Sequence, residues 1–133
     1  MFSHITVGVS DLERAGRFYD AVLQPLGLRQ RPVAPDGGPA SLCWVNPGQT
    51  LPRFYAYQPF NREPASAGNG AMAAFLAPDA EAVRSAHAAG LAAGGRDEGP
   101  PGPRPHYAPG SFGAYLRDPD GNKIHLVFRG DLV

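Results

Sequence analysis

The sequence predicts an α+β fold built from two tandem βαβββ modules, whose curled mixed sheets form a cup. Three observations predict it. Apolar runs of period two stand beside runs of helical period, so strands and helices alternate along the chain. A strand-to-helix opening is repeated: His4 precedes Asp11 by seven positions, and Met72 precedes Asp79 by seven. Near the end, Asp118-Pro119-Asp120-Gly121-Asn122 separates two β-prone runs. Pro fixes φ there and Gly and Asn accept positive φ, so the chain must reverse as a hairpin. The expectation is one domain over 1–133, with module 1 at about 1–60 and module 2 at about 70–130.

Phe2 to Val9 reads as the first strand, with Ile5, Val7 and Val9 on one face and His4, Thr6 and Gly8 on the other. Ser10 or Asp11 caps a helix over 10–26, in which Leu12, Ala15, Tyr19, Val22 and Leu26 form an apolar stripe ended by Pro25 and Gly27. Leu28 to Val33, Ser41 to Val45 and Arg53 to Gln58 follow as strands, the last bracketed by Pro52 and Pro59. Asn61 to Gly70 has loop composition. Met72 to Ala77 is then a strand and 79–92 a helix, whose Val83, Ala86 and Gly90 make a small-residue stripe able to approach a sheet closely. Gly94-Gly95 stops it. Gly99 to Gly110 carries so much proline that it is expected as a stiff loop. In the last strand Ile124, Leu126 and Phe128 share the helix-facing side, while Lys123, His125 and Val127 share the other.

Composition narrows the function. Twelve basic residues balance twelve acidic ones without a Lys/Arg cluster, which argues against a nucleic-acid or anionic-membrane surface and leaves a small molecule as the partner. Met1-Phe2-Ser3-His4 lacks the features of a signal peptide, no run approaches the roughly 18 apolar residues of a membrane span, and Cys43, between Leu42 and Trp44, reads as a buried inert thiol. A cytoplasmic protein is expected.

His4 and His125 sit mid-strand on the faces away from the helices, so both imidazoles are expected in one cavity, either as divalent-metal ligands or as a packed, hydrogen-bonded pair. Arg104, His106 and Tyr107 are the catalytic candidates, as an acid/base pair or an anion clamp, with ordinary loop packing as the alternative. Tyr55 and Tyr57 share a strand face that suits an organic ligand or an ordinary core. His87, among alanines, reads as a solvated helical position.

The opening His4-Ile5-Thr6-Val7-Gly8-Val9-Ser10-Asp11-Leu12, followed by Phe18-Tyr19 and Leu26-Gly27, and the closing Asp118-Pro119-Asp120-Gly121-Asn122-Lys123-Ile124-His125 resemble the vicinal oxygen chelate superfamily. That superfamily includes glyoxalase I, bleomycin-resistance proteins, fosfomycin-resistance enzymes and extradiol dioxygenases. The resemblance implies a glyoxalase-like fold and places the family's metal ligands at His4, Tyr55, Met72 and His125. The family usually has His where Met72 stands and Glu where His125 stands. This departure implies a module that binds an organic ligand without metal, as bleomycin-resistance proteins do, in a cup walled by Tyr55, Tyr57, Met72, His106 and Tyr107. The alternative is a lyase, isomerase or dioxygenase that uses Zn, Ni, Mn or Fe on vicinal oxygens. Two-module members commonly pair, so a homodimer is expected.

Overall fold

The computed structural model describes residues 1–132. Strand β1 (His4–Gly8) leads into helix α1 (Leu12–Leu23), a 3₁₀ turn at Gln24–Leu26, and strands β2 (Arg29–Arg31), β3 (Ser41–Val45) and β4 (Arg53–Tyr57). The second module repeats the order with β5 (Met72–Leu76), α2 (Ala80–Ala92), β6 (Arg96–Pro103), β7 (Ser111–Arg117) and β8 (Lys123–Arg129). The sheets have corresponding orders, β1-β4-β3-β2 and β5-β8-β7-β6, and neither is closed. In each, the first strand pairs parallel with the last and the remaining pairs are antiparallel. These are two mixed four-stranded sheets with one helix each, the expected tandem βαβββ arrangement.

Both helices start where an Asp can accept from an orphan N–H: Asp11 from Arg14 and Asp79 from Ala82. The apolar stripe of α1 buries Ala15, Phe18, Tyr19, Val22 and Leu23, and that of α2 buries Val83, Ala86 and Gly90. One core spans both modules. Tyr19 lies 4.9 Å from Phe54, Phe54 meets Phe75 of β5 edge-on at 5.0 Å, and Leu116, Ile124 and Leu126 close the cluster.

The 118–122 turn does more than reverse the chain. Asp118 is 2% exposed, and its carboxylate accepts from the N–H groups of Asp120 and Asn122, the amide of Asn122 and the Tyr19 hydroxyl, the last at 2.6 Å. Asn122 in turn donates to the carbonyl of Gly8, while Asp120 accepts from the N–H and hydroxyl of Ser10 and from Arg14. The hairpin is thus a clasp on the first module. Burial, then the Asp118 charge, raises the Tyr19 phenol well above its ordinary pKa, so it remains a donor.

Two expectations require correction. Residues 99–103 belong to strand β6 rather than to a loop. Its prolines are tolerated because β6 is the outer strand, where a missing N–H breaks no ladder, and the register to β7 shifts twice along it. His87 is not solvated: it is 6% exposed, and its Nε2 lies 2.9 Å from Asp97 Oδ1 at the start of β6.

Candidate functional site

On the face of the first sheet away from α1, alternation brings His4 and Thr6 of β1 beside Tyr55 and Tyr57 of β4, since His4 pairs with Arg53 and Thr6 with Tyr55. With Val33, Asp36, Ser41 and Phe60 these side chains line a cleft of 470 Å³, a volume suited to a small organic molecule. His4 meets Tyr55 edge-on at 5.5 Å, and its Nδ1 is 3.0 Å from the Ser3 hydroxyl. Phe60 is 75% exposed at the rim, an aromatic surface with no core to join. A second cleft of 480 Å³, between loop 38–40 and residues 58–65, contains none of the candidate side chains.

The corresponding face of the second sheet is roofed rather than open. His125 is 1% exposed because Tyr115, its registered neighbour on β7, stacks on the imidazole at 4.2 Å, and Tyr107 closes its edge at 5.7 Å. Gly113 makes room for this: a Cβ there would lie 2.8 Å from His125 Nε2. That nitrogen is buried without a hydrogen-bond partner, as is the Ser111 hydroxyl. Burial, followed by the charges of Arg104 and Lys123, lowers the His125 pKa, so the ring is neutral at pH 7.

His4 and His125 do not line the same cleft. The cleft of His4 lacks His125, and Met72 instead borders a crevice of 140 Å³ between β1 and β5, together with Thr6 and Lys123. Thr6 lines both openings. Tyr55 and Tyr57 do stand together with His4, and Arg104 and Tyr107 do stand near His125. Arg104 donates to the carbonyls of Pro100 at 2.6 Å and Pro103 at 3.2 Å, and its guanidinium lies over the Tyr115 ring. His106 is exposed at the turn and makes no side-chain hydrogen bond among the described residues.

Sequence reasoning missed Tyr115, the residue that decides the exposure of His125. Period-two counting along β7 from Ser111 through Gly113 would have placed it on that face. Ser41 also escaped notice, and Thr6 was placed on the face of His4 without a role.

The donors present do not fit a tight site for a hard divalent ion. Among the described residues no three His, Cys, Asp or Glu side chains come together. The family positions offer two imidazoles, one of them stacked and buried, with a phenol and an exposed thioether.

Paired βαβββ modules with an aromatic, hydroxyl-lined face on one of their sheets define a glyoxalase-like protein. The chain belongs to the glyoxalase/bleomycin resistance protein/dioxygenase superfamily, whose model matches residues 1–126. It is 42% identical to a glyoxalase/bleomycin resistance protein from Albidiferax ferrireducens T118, over 97% of this chain and 98% of that one, with a TM-score of 0.80. It shares its fold with a glyoxalase-related enzyme from Fulvimarina pelagi, at 22% identity over 97% and 88% of the chains and a TM-score of 0.70. The same holds for a lactoylglutathione lyase from Agrobacterium tumefaciens, at 23% identity over 99% and 95% and a TM-score of 0.64. No curated protein matches it. No described helix is long and apolar enough to cross a membrane.

Proposed function

We propose that this protein is a glyoxalase/bleomycin-resistance-like binding module that holds a small planar organic molecule without a tightly bound metal. The observation that carries this reading is the 470 Å³ cleft, in which two tyrosines, His4 and the exposed Phe60 offer apolar walls with hydroxyl and imidazole groups set into them. Calorimetric titration with 1-naphthamide, an uncharged planar probe, tests it. Binding with a Kd of about 1 mM or tighter is expected, with a loss of about tenfold in Tyr57→Ala. No heat of binding would remove this reading.

A metal-dependent lyase, isomerase or dioxygenase is the second reading, favoured by the unpartnered His125 Nε2 and by the shared fold with a lactoylglutathione lyase. Elemental analysis of protein purified without chelator separates the two: stoichiometric Zn, Ni, Mn or Fe would favour the enzyme. We place the protein in the cytoplasm, supported by its lone buried thiol. We also place it in a homodimer. The outer edges of β1 and β5 form no ladder, and Ile5, Met72 and Leu76 along them are exposed, a combination that a second copy would cover.

A further inference from the structure

We propose that the molecule held in the cup carries an anionic head group of the carboxylate class, received between Lys123 and Arg104 at the Tyr115 ring. This rests on the cup reading and names the kind of ligand. Lys123 is the sole charged residue lining the crevice between β1 and β5, and its ammonium lies 5.1 Å from the centroid of Tyr115. The guanidinium of Arg104 lies 5.8 Å from the same centroid. Two cations thus converge on one half-buried ring.

Neither is neutralised. Among the described residues, neither Lys123 nor Arg104 forms an ion pair. Glu98, the carboxylate that feels the charge of Lys123, is already held by Arg117 at 2.8 Å. Arg129, over Tyr107, is paired with Asp131. Two cations at one ring without a carboxylate partner leave a local positive charge, and an anionic ligand supplies the missing counter-charge. Against the other side of the ring, the stacked His125 has an Nε2 that is buried without a partner. Thr6 borders both the crevice and the aromatic cleft, and in this proposal the planar body lies against Tyr55 and Tyr57 with its charged end directed past Thr6 toward Lys123.

The test uses a matched pair, 1-naphthoate and 1-naphthamide, titrated calorimetrically into the intact protein. The acid is expected to bind about tenfold more tightly than the amide. Lys123→Gln and Arg104→Gln should each remove most of that preference and leave amide affinity within about twofold, while Arg17→Gln, far out on α1, changes neither. Arg104 also ties down backbone carbonyls, so its variant can disturb the turn; Lys123, whose side chain makes no hydrogen bond among the described residues, supplies the independent reading. Equal affinity for both probes, or a preference for the acid that survives Lys123→Gln, overturns the anion assignment and leaves the cup reading standing. Binding of neither probe overturns both.

Discussion

Asp118 has no spare acceptor. Asp118→Ala would remove four bonds at once, leaving the buried Tyr19 hydroxyl without its acceptor and the Asn122 amide with the Gly8 carbonyl alone. The expected loss is about 3 kcal/mol, against about 1.5 kcal/mol for Tyr19→Phe, which leaves the carboxylate its other three donors; urea denaturation reads both. His125 sets a different dependence. Its pKa is lowered in the folded state, so as pH falls below the ordinary histidine value of about 6.5 the unfolded chain takes up a proton that the folded ring refuses. Stability therefore declines as pH drops through that range toward the lowered pKa, and His125→Gln should flatten the slope of the urea midpoint against pH. Met72 is the third residue of consequence. It pairs with Lys123 while Ala74 pairs with His125, which places it two positions along β5 from the histidine's neighbour. Met72→His should bind Zn at least about tenfold more tightly than the natural protein in calorimetry. Tight binding by both, with no gain, would show that the ligand positions are misassigned.

At the scale of elements, the helices and most strands were legible because each follows from local chemistry: an Asp before an apolar stripe, or alternation between turn residues. Ser41–Val45 was readable to its last residue. Strand β6 was not, because its strand character comes from pairing with β7, and proline content says nothing about lying at a sheet's edge. The site was legible in its residue types and not in its exposure. Alternation assigns His125 to a face correctly, but only the register across β7 reveals the ring stacked over it. His87 escaped for a similar reason, since its partner Asp97 lies on β6, beyond the end of α2. The end of α2 shows how closely these elements approach. A Cβ on Gly95 would lie 2.5 Å from Phe18 Cε1, 2.9 Å from the carbonyl of Gly90 and 3.0 Å from that of Arg117. Two of those neighbours are backbone and cannot turn aside, so Gly95→Ala should cost about 2–3 kcal/mol, read from urea midpoints.

The whole molecule buries one core between its modules, while the outer edges of β1 and β5 form no ladder and leave Ile5, Met72 and Leu76 exposed. Light scattering at micromolar concentration should give twice the 14.1 kDa chain mass; a monomer mass would remove the second copy from the argument. Within the chain, the clasp gives the halves distinct parts. Counting from each capping Asp, Tyr19 on α1 and His87 on α2 occupy matching positions, and each meets a carboxylate, yet the carboxylates lie in different places. Tyr19 reaches the 118–122 turn of the other half, whereas His87 reaches Asp97 of its own. Among the described residues the first module's corresponding turn, at Asn46-Pro47-Gly48, bonds only within its own loop. A protein assembled from two copies of either half would therefore have two sockets without a plug, or two plugs without a socket. The repeat has ceased to be interchangeable: both halves keep the capping Asp, and only one carries each side of the clasp.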